Sequence, residues 1–372
     1  MKQIQAGKPV RGKQFVGRKD EILTISELLL QGQSVVLIAP RRFGKTSLVL
    51  EILDRLKRRD FYTAFIDVFL SPDLTSVSHK ITEEVLQNRK LGKVFKKISG
   101  DIGEIFRNIE LKQTIESFEF LLKYSTPEPN IWELFSESID FINNYPAKYD
   151  RRIICAFDEF GDIRKYDGDH IVKMIRSKIQ MQKHATYFFS GSYESVMENL
   201  FVKKNSPFFR FARIIPLGYI DRQDFKTYIT GIFREYNITY HENQIDRILD
   251  FTKGHPYYTK LIIQQLLLNK SVGRVTEDFS LKDLLKQLLI IENNYLEKQW
   301  EDISKSNEQV RAIMAVVKYR KSLYSHIDTR KVNLGRALKR LTGTGILIKG
   351  KDHYYLADPL FEFWIKEKII NS

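Results

Sequence analysis

Cysteine is almost missing from this chain: Cys155 is the only one in 372 residues. No disulfide can form within the chain, and a cysteine-built zinc site is excluded. A reducing compartment, the cytoplasm, is the expectation. Long apolar runs are missing too. None approaches the roughly 20 residues that a membrane span requires, and residues 1–15 carry no apolar stretch of signal-peptide type, so no membrane partner is expected. The seven histidines show no HExxH spacing, which removes the common metalloprotease arrangement. Low-complexity segments and internal repeats are also lacking. What the chain has in excess is positive charge: 60 Lys and Arg against 46 Asp and Glu, a formal net charge of +14. Such a balance suits nucleic acid or an anionic surface, and equally suits an ordinary solvated face. With 43% hydrophobic residues the chain can bury a large core, and its length allows two or three domains.

Strand and helix patterns alternate through the first half. Short β-branched and apolar runs at 33–40, 62–69, 151–160, 185–192 and 212–220 read as buried strands. Helical stretches at 45–59, 74–89 and 131–143 lie between them, with a lysine-rich insertion at about 90–130. Strands separated by helices predict a parallel sheet covered on both faces. Residues 221–300 read as mostly helical, broken at Lys253-Gly254-His255-Pro256, where Gly closes one helix and Pro opens the next. From about 301 a third unit is expected, with helices near 307–319, 322–328 and 332–342 and a hairpin within 345–358. Helices followed by a hairpin describe a winged helix. The predicted architecture is therefore an α/β P-loop domain over 1–220, a helical lid over 221–300 and a winged-helix unit over 301–372.

The chemistry concentrates at two strand ends. After the first strand comes Ala39-Pro40-Arg41-Arg42-Phe43-Gly44-Lys45-Thr46, a G-x-x-x-x-G-K-[ST] phosphate loop with Ala in the first position. Such a loop wraps a phosphate in backbone N–H groups, helped by the positive end of the following helix. Gly44 supplies the conformation, Lys45 reaches the β- and γ-phosphates, Thr46 offers its hydroxyl to Mg²⁺, and Ser47 continues the helix start. After the third strand come Asp158 and Glu159. An acid emerging there faces the phosphate loop. Asp158 is expected to hold Mg²⁺ through water, and Glu159 to orient and deprotonate the attacking water. Each motif alone has a bland reading, a chance Gly-Lys-Thr or a solvated acidic strand end. Together they predict a site for ATP and Mg²⁺.

The segments Phe15-Val16-Gly17-Arg18, APRRFGKTSL at 39–48, Asp158-Glu159, SGSYESVMENL at 190–200, SPFFR at 206–210, IIPLGYI at 214–220, GHPYYTKLI at 254–262 and LTGTGILIKG with YYLADPLFEFWI at 341–365 resemble archaeal-type AAA+ ATPases, near the STAND and origin-recognition branches. The resemblance spans nearly the whole chain. It implies that Phe15, Val16 and Gly17 line the adenine pocket, that Ser190 (or its neighbour Ser192) stands where a γ-phosphate sensor would, and that Arg210 or Arg213 occupies the place of an arginine finger acting on a neighbouring copy. His255 lies in the lid motif and counts as a nucleotide-binding candidate. The Gly-x-Pro pattern there, without a clear sensor arginine, favours a nucleotide-gated switch over a processive motor.

In the helix at 332–342, Leu334, Ala337, Leu338 and Leu341 share one face, and Arg336, Lys339 and Arg340 share the other. A basic third helix is what a major-groove reader presents, and it is also what a winged helix docked on its own ATPase core leaves in solvent. Three functions follow: an ATP-hydrolysing switch, an ATP-gated regulator bound to duplex DNA, and a non-catalytic scaffold that binds ATP or ADP for assembly with a protein client or with further copies. The DNA reading predicts a salt-dependent electrophoretic shift of duplex DNA that weakens when Arg336, Lys339 and Arg340 are all replaced by Ala. A shift unchanged in that triple variant removes these residues from any DNA contact.

Overall fold

A computed structural model describes residues 4, 6–89, 91, 130–192, 195–273, 279–320, 323–325 and 333–371. Most of the expected insertion, and most of the helix expected at 322–328, lie outside the described residues. The first unit is a five-stranded sheet of β1 (Val35–Ala39), β2 (Tyr62–Asp67), β3 (Ile153–Asp158), β4 (Ala185–Ser192) and β5 (Arg213–Pro216), in the order β2-β3-β4-β1-β5, with every neighbouring pair parallel. This is the parallel sheet expected from the alternating pattern. The fifth strand is shorter than predicted. It lies at the sheet edge and ends at Pro216, which has no N–H to extend the ladder.

Strand alternation divides the core. Val35, Leu37 and Ala39 of β1, with Ile154 and Ala156 of β3 and Phe188 of β4, pack on one face against α1 (Lys19–Leu30) and α2 (Lys45–Lys57). Val36, Ile38, Ile153, Cys155, Phe157 and Phe189 point the other way, against α3 (Leu74–Leu86), α4 (Ile131–Ala147) and α5 (Arg164–Ile179). Both faces are covered, so β1 and β3 are buried along their whole length. Cys155 is fully buried and acts as a small core hydrophobe. A short helix, α6 (Ser195–Phe201), follows β4.

The remainder is helical: α7 (Arg222–Glu235), α8 (Glu242–Thr252), α9 (Pro256–Ser271), α10 (Leu281–Ser304) and α11 (Asn307–Tyr319), then α12 (Leu334–Gly343), the antiparallel pair β6 (Leu347–Lys349) and β7 (Tyr354–Leu356), and α13 (Pro359–Ile365). One continuous apolar cluster runs through all of these helices, from Phe225 to Ile365, and takes in Ile4 and Val16 from the start of the chain. The amino-terminal segment therefore belongs in part to the second core.

Two glycines join the units. Gly17 has φ +66°, and a Cβ there would lie 2.7 Å from Asp224 Oδ2 and 2.9 Å from Ile220 Cγ2. Gly254 has φ +81°, and a Cβ there would stand 2.2 Å from the Ile220 carbonyl oxygen. The Ile220 amide donates to the Gly254 carbonyl at 3.0 Å. Ile220 is thus clasped where the sheet leads into the helices. Gly254→Ala combines a backbone collision with a left-handed φ. It should cost about 2–4 kcal/mol in urea unfolding, and an unchanged midpoint would show that this junction relaxes freely.

Candidate functional site

The loops that follow β1 and β3 meet at one end of the sheet. Ala39 sits inside regular β1, paired with Ser192, without a positive φ. A glycine is therefore not needed at this first motif position. Gly44 is different. It has φ +84°, with nothing within 4 Å of where a Cβ would stand, and it is the residue from which α2 springs. The loop between them is left open toward a cleft of about 440 Å³, lined by Arg41 to Ser47, Phe15, Val16, Arg18, Glu159, Asp162, Ile220, Pro256, Tyr257 and Lys260 among others.

Lys45 lies beneath this loop at 5% exposure. Its ammonium donates to the carbonyls of Ala39 at 3.1 Å and Pro40 at 3.2 Å, and to Ser192 Oγ at 3.4 Å. Glu159 Oε1 stands 4.0 Å away. The Thr46 hydroxyl donates to Asp158 Oδ2 at 2.6 Å, and the Ser190 hydroxyl donates to the other oxygen, Oδ1. Asp158 is 1% exposed, and these bonds fix its orientation at the strand end. Ser190 thus holds Asp158, while Ser192 holds Glu159, through its backbone N–H at 3.1 Å and its hydroxyl at 3.2 Å. Burial raises the Glu159 carboxyl above its ordinary range. Lys45 opposes that shift, and Asp158 adds to it. A carboxylate made more basic in this way is a better proton acceptor.

A hydroxyl and a buried carboxylate side by side at a phosphate loop suit Mg²⁺, which takes few protein ligands and keeps several waters. Thr46 and Asp158 are the pair that would hold it, and the open cradle at Gly44 fits a phosphate chain. Asp67, beside Asp158 in the β2–β3 register, was not anticipated. Its carboxyl is pushed up by burial and by Asp158, and it accepts from the Phe69 amide at 3.0 Å, shaping the loop after β2.

The amino-terminal segment closes one wall. The Val10 amide donates to Ser47 Oγ at 3.0 Å, the Gly12 amide to Glu51 Oε2 at 3.0 Å, and the Ala6 amide to Gln264 Oε1 at 3.1 Å. Phe15 and Val16 line the cleft. Gly17 lies behind them against Ile220 and Asp224. Arg18, buried, donates to the Gly218 and Tyr219 carbonyls.

Two of the loop's side chains also reach the helical region. Phe43 is buried against Tyr219, with ring centroids 5.2 Å apart, and against His255 at 4.7 Å. Arg42, in a left-handed conformation with φ +67°, lies between two tyrosine rings, Tyr257 at 4.2 Å and Tyr295 at 4.3 Å. It also meets Glu292 Oε2 at 2.9 Å and Tyr258 Oη at 3.3 Å. Tyr258 donates onward to Asp358, whose carboxyl burial pushes up to about 6 and which caps α13 through the amides of Leu360 and Phe361. These partners from α9, α10 and α13 carry no motif recognisable by spacing. The only sequence signal is that Tyr257, Tyr258 and Asp358 fall inside the GHPYYTKLI and YYLADPLFEFWI segments; Glu292 and Tyr295 fall in neither.

The remaining candidates sit elsewhere. His255 lines a neighbouring cavity of about 470 Å³, with Pro40 and Asp358 among its other walls. It caps α9, its Nδ1 accepting from the Tyr258 amide at 3.5 Å. Arg213 begins β5 opposite Val35, at the sheet end away from Gly44, and Arg210 lies just before it with φ +61°. Neither is brought to this chain's own phosphate loop. Arg336, Lys339 and Arg340 are exposed on α12, and Leu334, Ala337, Leu338 and Leu341 are buried beneath them.

Comparison with known proteins bears on the family and the fold. A family model described as an ATPase domain predominantly from Archaea matches residues 15–262. Among solved structures, the Walker-type ATPase of Pyrococcus abyssi is 18% identical, with a TM-score of 0.69 over 97% of this chain and 99% of that one. The ADP form of the Aeropyrum pernix ORC2 protein is 12% identical, with a TM-score of 0.51 over 96% and 94%. The Aeropyrum pernix ORC1 protein in complex with DNA is 11% identical, with a TM-score of 0.50 over 97% and 94%. At these identities the likeness shows the fold, a parallel P-loop sheet followed by a helical region. No curated protein matches the chain.

Burial and the Arg42 charge hold the His255 imidazole neutral down to about pH 3, against an ordinary value of 6.5. Between those values the unfolded chain binds a proton that the folded chain refuses. The stability due to the neutral ring is complete above pH 6.5 and is lost as pH falls toward 3. The thermal midpoint should therefore drop on acidification, and less steeply in His255→Asn, which keeps a capping acceptor. Identical slopes would show that the ring titrates in the fold.

Proposed function

The chain belongs to the ATPase domain family found predominantly in Archaea, and from that premise we propose that it binds MgATP, hydrolyses it, and works as a switch whose nucleotide state sets the position of its helical region. The observation that carries this reading is the reach of Arg42. A residue of the phosphate loop is gripped by α9 and α10 and, through Tyr258, is joined to the cap of α13. A phosphate chain that reshapes the loop would move this arginine, and the helices holding it would respond.

In this reading the amides around Gly44 and the Lys45 ammonium bind the phosphates. Thr46 and Asp158 hold Mg²⁺, which when bound offsets phosphate charge. Ser192 orients the Glu159 carboxylate, and Glu159 takes the proton from the attacking water. Phe15 and Val16 cover the base. Arg210 and Arg213, remote from their own site, would serve only a neighbouring copy.

The exposed basic face of α12 favours a second reading, in which α11, α12 and the β6–β7 hairpin form a winged helix and nucleotide gates its contact with duplex DNA. One of the structural neighbours is described in complex with DNA. The two readings are compatible if DNA accelerates hydrolysis.

Phosphate release tests the first reading. Lys45→Ala should abolish it together with nucleotide binding. Glu159→Gln should keep binding and lower the rate by about a hundredfold or more. A wild-type rate in Glu159→Gln would remove Glu159 as the base, and a wild-type rate in Lys45→Ala would remove this cleft as the site.

A further inference from the structure

Lys260 lies in the second turn of α9 and lines the phosphate-loop cleft at 7% exposure. A lysine ammonium has three hydrogens to donate and nothing with which to accept. Here one goes to the Gln14 carbonyl oxygen at 3.0 Å. The nearest aromatic ring recorded for it, Tyr228, is 5.9 Å away. Among the described residues no carboxylate pairs with it, in contrast to Arg42 and Glu292 or Arg18 and Glu21 in the same cleft wall. Burial alone pulls it down to about 8. A desolvated cation without a counter-charge is costly to keep, and an apolar side chain would serve packing better at this position.

The position within the cleft indicates what it meets. The phosphate end is already supplied by Gly44, Lys45 and Thr46. The cleft then extends toward Phe15, Val16, Ile220 and Pro256, whose apolar surfaces suit a flat aromatic base and not a phosphate. Lys260 is tied to Gln14, next to Phe15, at that apolar end. We propose that Lys260 is a nucleotide ligand, donating a hydrogen bond from its ammonium to an acceptor nitrogen of the bound purine ring. It rests on the nucleotide reading above and adds to it a polar contact on the base, the feature by which a cleft of this kind distinguishes a nucleotide from a bare polyphosphate.

Calorimetric affinities for MgATP and for magnesium tripolyphosphate, which has phosphates and no base, separate the alternatives. Lys260→Met should weaken MgATP by roughly ten- to a hundredfold, the range for one charge-assisted hydrogen bond. It should leave tripolyphosphate binding as in wild type, and the thermal midpoint of the ligand-free chain should hold or rise. Unchanged MgATP affinity overturns the proposal. Equal losses for both ligands also overturn it, because they place the lysine at the phosphates or make it a strut for the amino-terminal segment. Should Lys260→Met fail to fold, Lys260→Arg, which keeps the cation and displaces its donors, gives the same comparison. If wild type binds tripolyphosphate and MgATP equally well, the base contact fails while the phosphate loop stands. If it binds neither, the nucleotide reading itself fails.

Discussion

The Lys45 ammonium, buried under its own loop and tied to the Ala39 and Pro40 carbonyls, is the constraint from which the site is built. A cation there must be matched, and the matching groups can come only from the ends of the neighbouring strands. The strand order places β4 beside β1 and β3 beside β4. Ser192 and Glu159 therefore arrive next to Lys45, and Asp158 meets Thr46. A sheet with these strands in another order would bring none of them together. The buried apolar length of β1 and β3 matters here, since it holds two loops in register at one end of the sheet.

The second constraint concerns Arg42. A non-glycine residue at φ +67° is held against its own preference. Two stacked tyrosines, each worth about 0.5–2 kcal/mol in such contacts, and the Glu292 carboxylate offset that strain. The grip runs in both directions: the helices stabilise a conformation of the phosphate loop, and the loop fixes the helices. Phe43 against His255 and Tyr219 repeats the connection with apolar contacts. In the proposed switch, this double attachment, together with Ile220 clasped by Gly17 and Gly254, is the path by which a change at the loop would reach helices more than two hundred residues later in the chain.

The sheet was legible in the sequence because its strands are short β-branched runs punctuated by phosphate-loop and acidic signals. The order of those strands was not, since periodicity reports burial and not neighbours. That Gly44, Lys45, Thr46, Asp158 and Glu159 gather at one place was legible because a phosphate loop and an acidic strand end admit few residue types at fixed spacing. The partnership of Ser192 with Glu159, and of Ser190 with Asp158, depends on which side of a strand faces the loop, and spacing alone left both serines open. Arg42, Tyr257, Glu292 and Asp358 were illegible as a set, for they are brought together from distant segments. Lys260 looked like one more lysine in a basic chain. Only its burial, with no carboxylate beside it among the described residues, distinguishes it.

Hydrogen–deuterium exchange of the full chain, with and without saturating MgATP, tests the central claim most directly. Nucleotide should slow exchange of the amides in residues 41–47, and the same addition should change exchange in α9, α10 and the start of α13. Loop amides that exchange identically in both conditions would contradict the account at its base, and protection confined to the loop would contradict the coupling through Arg42.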